Sequence, residues 1–127
     1  MITEGLLLYL PAHTVHSLAI ETKQESSITH WISDILTASF SKAIGGGGLC
    51  VVRHVQADDH LEGEQILATI HQGGWATSLR RSYITDLAFA RDRIARMMAG
   101  APQPSTPPPF ALNDPAGIHL FVNSGRL

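Results

Sequence analysis

Apolar and polar positions alternate in blocks along the chain, and the spacing within each block predicts an element. Leu6 to Leu10 is a continuous apolar run, as in a buried strand, and Pro11 interrupts it because it lacks a backbone donor. Val15 to Glu21 continues in extended style. Residues 5–21 therefore read as one strand broken at Pro11, or as a small hairpin turning at Pro11-Ala12-His13. Lys23 to Ser27 is a polar loop in which Ser26 or Ser27 can cap the next segment. Ile28, Trp31, Ile32, Ile35, Leu36, Phe40 and Ala43 then recur at helical spacing. Gly45 to Gly48 ends that helix, since four glycines cost too much backbone entropy to extend it.

Leu49 to Val55 is rich in β-branched residues and predicts a strand. Gln56 to Glu64 is an acidic turn carrying Asp58, Asp59, Glu62 and Glu64. Glu64 to His71 predicts a second strand, with a short helix as the alternative, and Gly73-Gly74 closes it. Thr77 or Ser78 caps a long helix over 77–99, whose stripe is Leu79, Tyr83, Leu87, Ala90, Ile94 and Met97 or Met98. Residues 101–109 hold five of the seven prolines and read as an extended linker. Ile118 to Val122 closes the chain as a strand.

The resulting order, β-α-β-β-α-β, resembles the ferredoxin-like split βαβ plan. That is an α+β fold with an antiparallel sheet and two helices on one face. Residues 1–100 form the expected α/β core, 101–116 a Pro-rich linker, and 117–127 a strand that completes the sheet or pairs with a partner chain. A hairpin turning at Glu62-Gly63 pairs Val55 with Ile70 and Ala57 with Ala68 on one side. His54 with His71 and Gln56 with Thr69 fall on the other. The apolar pairs thus segregate from the polar ones, as in a half-buried sheet.

Composition narrows the picture. The 127 residues are 44% hydrophobic and 16% charged, so the chain is about one domain that buries a core, and global disorder is excluded. The net charge of −2 provides no overall basic field for nucleic acid or membrane. The single Cys50 excludes an intrachain disulfide framework and a multi-cysteine zinc site. The N-terminus lacks a basic residue, and the apolar runs are far shorter than the ~20 residues of a membrane span. A cytoplasmic protein with no membrane partner is expected.

The candidate chemistry lies in histidine and arginine. Seven histidines are many for this length, and His is both the acid–base of neutral pH and the commonest metal ligand. In the hairpin register His54 and His71 are cross-strand neighbours on the open face, and His119 alternates with Ile118 and Leu120 toward the same face. These three are the catalytic candidates. His54 and His71 with an acidic third ligand are the candidate metal pair, although no spacing matches an established zinc motif. His13 and His16 point to opposite faces if they lie on a strand. Arg80, Arg81, Arg91, Arg93 and Arg96 are the candidate partner-binding residues. Against Asp86 and Asp92 they leave 77–99 at +3 and the rest of the chain at −5.

Several motifs fall short. Gly45–Gly48 follows a helix and lacks Gly-Lys-Ser/Thr, with Lys42 coming too early for a phosphate loop. Gly73-Gly74, with Trp75 and Arg80 nearby, precedes the expected second helix and has better polarity for an anion. Cys50, between Leu49 and Val51, reads as a buried thiol, and Ser41 lacks a Gly-x-Ser-x-Gly context. The reading that follows is a small non-enzymatic interaction or regulatory module that binds a protein partner or itself, as a homodimer, and needs no cofactor. Val52, Leu67 and Phe121 on an exposed sheet face would form its apolar patch. The alternatives are a small enzyme or a ligand- or metal-binding protein using the open-face histidines, and nucleic-acid binding through the arginine-bearing helix 77–99.

Overall fold

The computed structural model describes residues 1–37, 39–40, 56–86 and 113–126. Among these, β1 (Ile2–Thr3), α1 (Ala12–Gln24), β2 (His30–Ile35), α2 (Gly63–Gln72), β3 (Trp75–Ser82) and β4 (Gly117–Asn123) follow in order. Short 3-10 turns lie at Leu7–Tyr9 and Ser124–Arg126. The four strands form one mixed sheet in the order β1-β2-β4-β3. β1 and β2 are parallel, and β4 is antiparallel to both β2 and β3. The crossovers β1-α1-β2 and β2-α2-β3 step the same way across the sheet, so one crossover handedness places both helices on one face.

Among the described residues the architecture is therefore α+β, with two helices packed on a four-stranded sheet. It departs from the expected antiparallel plan. The parallel β1–β2 pair replaces an antiparallel one, and the described elements alternate β-α-β-α before the last two strands. The expected strand at 49–55 and the glycine run at 45–48 lie outside the described residues, as do 87–99 of the expected long helix and 101–112 of the linker.

Four segments correct the expectations drawn from local pattern. Residues 5–21 are a 3-10 turn and a helix, not a strand or a hairpin. Pro11 caps α1: its carbonyl accepts from the Thr14 and Val15 amides at 3.0 and 3.2 Å. Val15, Ala19 and Thr22 are buried at helical spacing. Residues 30–35 are a strand where a helix was expected, with Trp31, Ser33 and Ile35 turned to the core.

Residues 63–72 take the helical alternative, so the hairpin register does not form. A reciprocal capping box between Glu62 and Gln65 starts α2, and Ile66 and Ile70 face inward. Residues 75–82 are a strand where the long helix was expected to begin. β4 is the strand its sequence suggests, buries every second residue and lies between β2 and β3.

The main core joins Leu7, Val15, Ala19, Trp31, Ile35, Ile66, Ile70, Trp75 and Phe121. Trp31 meets Trp75 edge-on at 5.8 Å and Phe121 at 5.9 Å. The indole N–H of Trp75 donates to the Ala19 carbonyl at 2.9 Å, and that of Trp31 donates to Thr3 Oγ1 at 2.9 Å. A second cluster caps the C-terminal ends of β2 and β3, where Phe40 stacks on Tyr83 at 5.4 Å beside Ala116. There the Thr37 hydroxyl donates to the buried Asp114 carboxylate at 2.8 Å and accepts from the Phe40 amide at 3.1 Å.

Gly74 has φ +94°, a conformation that glycine adopts without strain, and it makes the turn from α2 into β3. Gly73-Gly74 therefore leads into a strand, and the anion site expected at a helix N-terminus is not formed there.

Candidate functional site

Strand alternation sorts the sheet residues onto two faces. On the helix-covered face the register aligns one residue per strand, Thr3, Ser33, His119 and Arg80, into a polar row. The row begins as a hydrogen-bonded relay in which Trp31 Nε1 donates to Thr3 Oγ1, and Thr3 donates to Ser33 Oγ at 2.9 Å. This supplies a partner for a serine that is fully buried mid-sheet.

His119 is only 2% exposed. Its Nε2 lies 2.8 Å from the Pro115 carbonyl, and its ring stacks on Phe121 with centroids 5.7 Å apart. Burial pushes its pKa below the usual 6.5. The Pro115 carbonyl opposes that shift, and the charges of Arg80 and His71 add to it. A neutral imidazole donating from Nε2 to Pro115 leaves a bare lone pair on Nδ1, which has no hydrogen-bond partner among the described residues.

His71 approaches Phe121 from the α2 side. It sits in the last turn of α2, exposed, with Nε2 2.9 Å from Thr77 Oγ1 and its ring edge-on to Phe121 at 6.1 Å. His71 and His119 thus flank one aromatic ring, with Arg80 opposite His119 on the next strand. Beside them a polar hollow of about 320 Å³ is lined by Arg80, Ser82, Thr85 and Asp86. The arrangement is thus a desolvated imidazole with a second histidine ring and the Arg80 guanidinium as neighbours.

The candidate residues are therefore partly gathered and partly scattered. His71 and His119 do come together, but on the helix-covered side of the sheet and not on an open face. His54 lies outside the described residues, and because 63–72 is a helix the His54–His71 strand pair does not exist. Among the described residues no group of three or more His, Cys, Asp or Glu is placed to hold a metal. His13 and His16 are exposed one turn apart on α1.

Arg80 and Arg81 sit on a strand, not a helix, and turn to opposite faces. Arg81 pairs with Asp86 at 2.9 Å. Arg91, Arg93 and Arg96 lie outside the described residues. The expected apolar patch is also redrawn. Phe121 is fully buried in the core and Leu67 packs against it from α2, while Val52 lies outside the described residues.

The opposite face carries the feature that local pattern missed. The register aligns Ile2, Ile32, Leu120 and Leu79, one from each strand, in a single aliphatic row. Ile2 is 72% exposed, Leu79 54% and Ile32 38%. Below the row lie His30, Val122 and Ala76, and above it Asp34, Ile118 and Arg81. Both described helices pack on the other face.

Apolar residues stand at both odd and even positions in β2 and β4, which was the available signal. It needed the register to become a surface. Comparison with protein-family models, curated proteins and solved structures finds no match, so the geometry alone supports a reading.

Proposed function

We propose that the protein is a small non-catalytic interaction module, regulatory in kind and self-associating, whose recognition surface is the outer face of its sheet. The supporting observation is the aliphatic row Ile2–Ile32–Leu120–Leu79, which crosses all four strands with three members well exposed. A solvated sheet face ordinarily turns polar residues outward. Four aligned aliphatics are a contiguous patch of the kind that marks a contact surface.

The test is native mass spectrometry of the protein isolated from its own host. The expected result is an assembly heavier than the 13.7 kDa chain, lost in Ile32→Glu and Leu79→Glu with circular dichroism unchanged. A chain that is monomeric in the host extract, or an assembly indifferent to both substitutions, refutes the reading.

A ligand site at the histidine cluster is the second reading, favoured by the unpartnered Nδ1 of His119 beside Arg80 and the hollow. Shifts of the His119 and Arg80 resonances on titration with inorganic phosphate, whose P–OH would donate to Nδ1 and whose charged oxygens would accept from Arg80, would support it, and unmoved resonances would remove it. Nucleic-acid binding is less well supported, because Arg80 and Arg81 diverge to opposite faces and do not form one basic stripe.

A further inference from the structure

We infer that the hollow at the end of β3 is the seat of a small phosphate monoester, whose terminal phosphoryl oxygens meet Arg80, Ser82 and Thr85. This rests on the second reading, a ligand site beside His119, and assigns that site its ligand class. Arg80 and Ser82 stand two residues apart on the helix-covered face of β3, and Thr85 and Asp86 complete the lining from the turn that follows. Ser82 fixes that turn. Its hydroxyl oxygen accepts from the Ile84 and Thr85 amides, both at 3.1 Å, and its carbonyl accepts from the Asp86 amide at 3.2 Å.

The lining carries donors that the fold does not use. Ser82 is 4% exposed, and its hydroxyl proton has no acceptor among the described residues. The Thr85 hydroxyl and the Arg80 guanidinium have no hydrogen-bond or ion-pair partner among them either. Arg81 is paired with Asp86 at 2.9 Å, so Arg80 is the one uncompensated charge of the lining. A buried donor without an acceptor is costly, and a ligand oxygen placed here would remove that cost.

The donor set selects the ligand. A guanidinium and two hydroxyls match the three terminal oxygens of a phosphoryl group, with the charge held by Arg80. A carboxylate has two such oxygens, and a phosphodiester has two that are not esterified. Asp86 recognises the organic part: its Oδ2 accepts from Arg81, and Oδ1 is left to accept from a ligand hydroxyl. The hollow, at about 320 Å³, is at the lower end of the ~300–1,000 Å³ of small-molecule sites, which suits a phosphorylated molecule of a few carbons.

The experiment titrates the pure, isotope-labelled full chain with glycerol 3-phosphate, inorganic phosphate and dimethyl phosphate, and follows the resonances of residues 80–86 and His119. Glycerol 3-phosphate should give saturable shifts and bind more tightly than inorganic phosphate, and dimethyl phosphate should leave the resonances unmoved. Arg80→Gln and Thr85→Val should each weaken the monoester about tenfold, the size of one hydrogen bond to a charged group. Neither side chain has a described partner, so circular dichroism should not change. Arg80→Lys keeps the charge without the planar fork and should recover part of the loss. N-acetylphosphoserine amide, a monoester with no free hydroxyl for Asp86, should bind no better than inorganic phosphate.

Monoester binding that both Arg80→Gln and Thr85→Val leave unchanged overturns the assignment. So does dimethyl phosphate or inorganic phosphate binding as tightly as the ester. Phosphoserine amide binding as tightly as glycerol 3-phosphate moves the source to a phosphorylated chain and overturns the small ligand. If inorganic phosphate still shifts His119 and Arg80 in any of these cases, the ligand site of the second reading stands. No shift at 80–86 or at His119 with any probe overturns both.

Discussion

Gly63→Ala sets helix propensity against a backbone contact, and the structure decides the sign. Gly63 is the first residue of α2. On propensity alone, alanine there is stabilising by at most ~1 kcal/mol. A Cβ at this position, however, meets the Leu36 carbonyl carbon at 2.6 Å and the Thr37 amide nitrogen at 3.0 Å, with the Leu36 carbonyl oxygen closer still. All three are backbone atoms at the end of β2, so no rotamer change relieves the contact. Carbon contacts become favourable near ~3.5–4.0 Å, so the start of α2 must retreat by about 1 Å. That movement pulls on the Glu62–Gln65 capping box and on Ile66, which packs in the core one turn later.

Overpacking of this kind costs ~1–3 kcal/mol against a propensity gain of at most ~1 kcal/mol, so a net loss of up to ~2 kcal/mol is expected, centred near ~1 kcal/mol. Trp31 and Trp75 are both buried and report unfolding by fluorescence. With a urea dependence of ~1–3 kcal/mol/M, the midpoint should fall by about 1 M. Ala68→Gly, on the exposed side of α2, reads propensity without the contact and should cost ~1 kcal/mol. An unchanged or raised midpoint in Gly63→Ala would refute the reasoning, because α2 would then not abut the end of β2 as described.

Two further outcomes follow from buried polar groups. His119 has a lowered pKa in the folded chain, so the unfolded chain binds its proton more readily. The stability that this residue contributes is therefore complete above the ordinary value of 6.5 and lost as pH falls below it. The urea midpoint should drop between about pH 7.5 and 5.5, and drop less in His119→Gln; equal slopes would contradict the assignment. Thr37→Val removes the hydroxyl that Asp114 and the Phe40 amide share, and should cost ~1–3 kcal/mol by calorimetry, against no loss if water replaces it.

Legibility in the sequence followed the agreement of local signals. β4 was readable because its short apolar run, its length and the preceding linker all point to a strand. The end of α2 was readable at Gly73-Gly74, although its helical state stood only as the alternative. α1 was misread because Val15, Ile20 and the neighbouring threonines favour extended structure, while the helical stripe Val15–Ala19–Thr22 ends on a polar residue and so looks weak. Ala19 is small for a contact reason: a Cβ on Gly73 would lie 2.6 Å from its own Cβ, which is how closely the end of α2 approaches α1. No local pattern carries that information.

β2 was ambiguous because Trp31 and Ile35 fit a helical and a strand period equally. Ser33 decides between them. A buried serine is tolerable on a strand because Thr3, thirty residues earlier, donates to it and its own hydroxyl donates to the Asp34 carbonyl. β3 gave no alternation at all, since Thr77 through Arg81 are exposed on an edge strand with a bulge between Thr77 and Leu79.

A strand covered on one side alternates, whereas a strand covered on both sides reads as a continuous apolar run. Leu120-Phe121-Val122 is a run of that second kind and Ile32 stands exposed beside it, yet the two described helices cover only one side. That run in a central strand, with Ile32 beside it, is what a second covering layer would bury. A partner sheet about 10 Å away, the ordinary separation of packed sheets, would supply it. If substituting Ile32 by a polar residue left both stability and association untouched, the apolar character of that row would have no physical role in this fold.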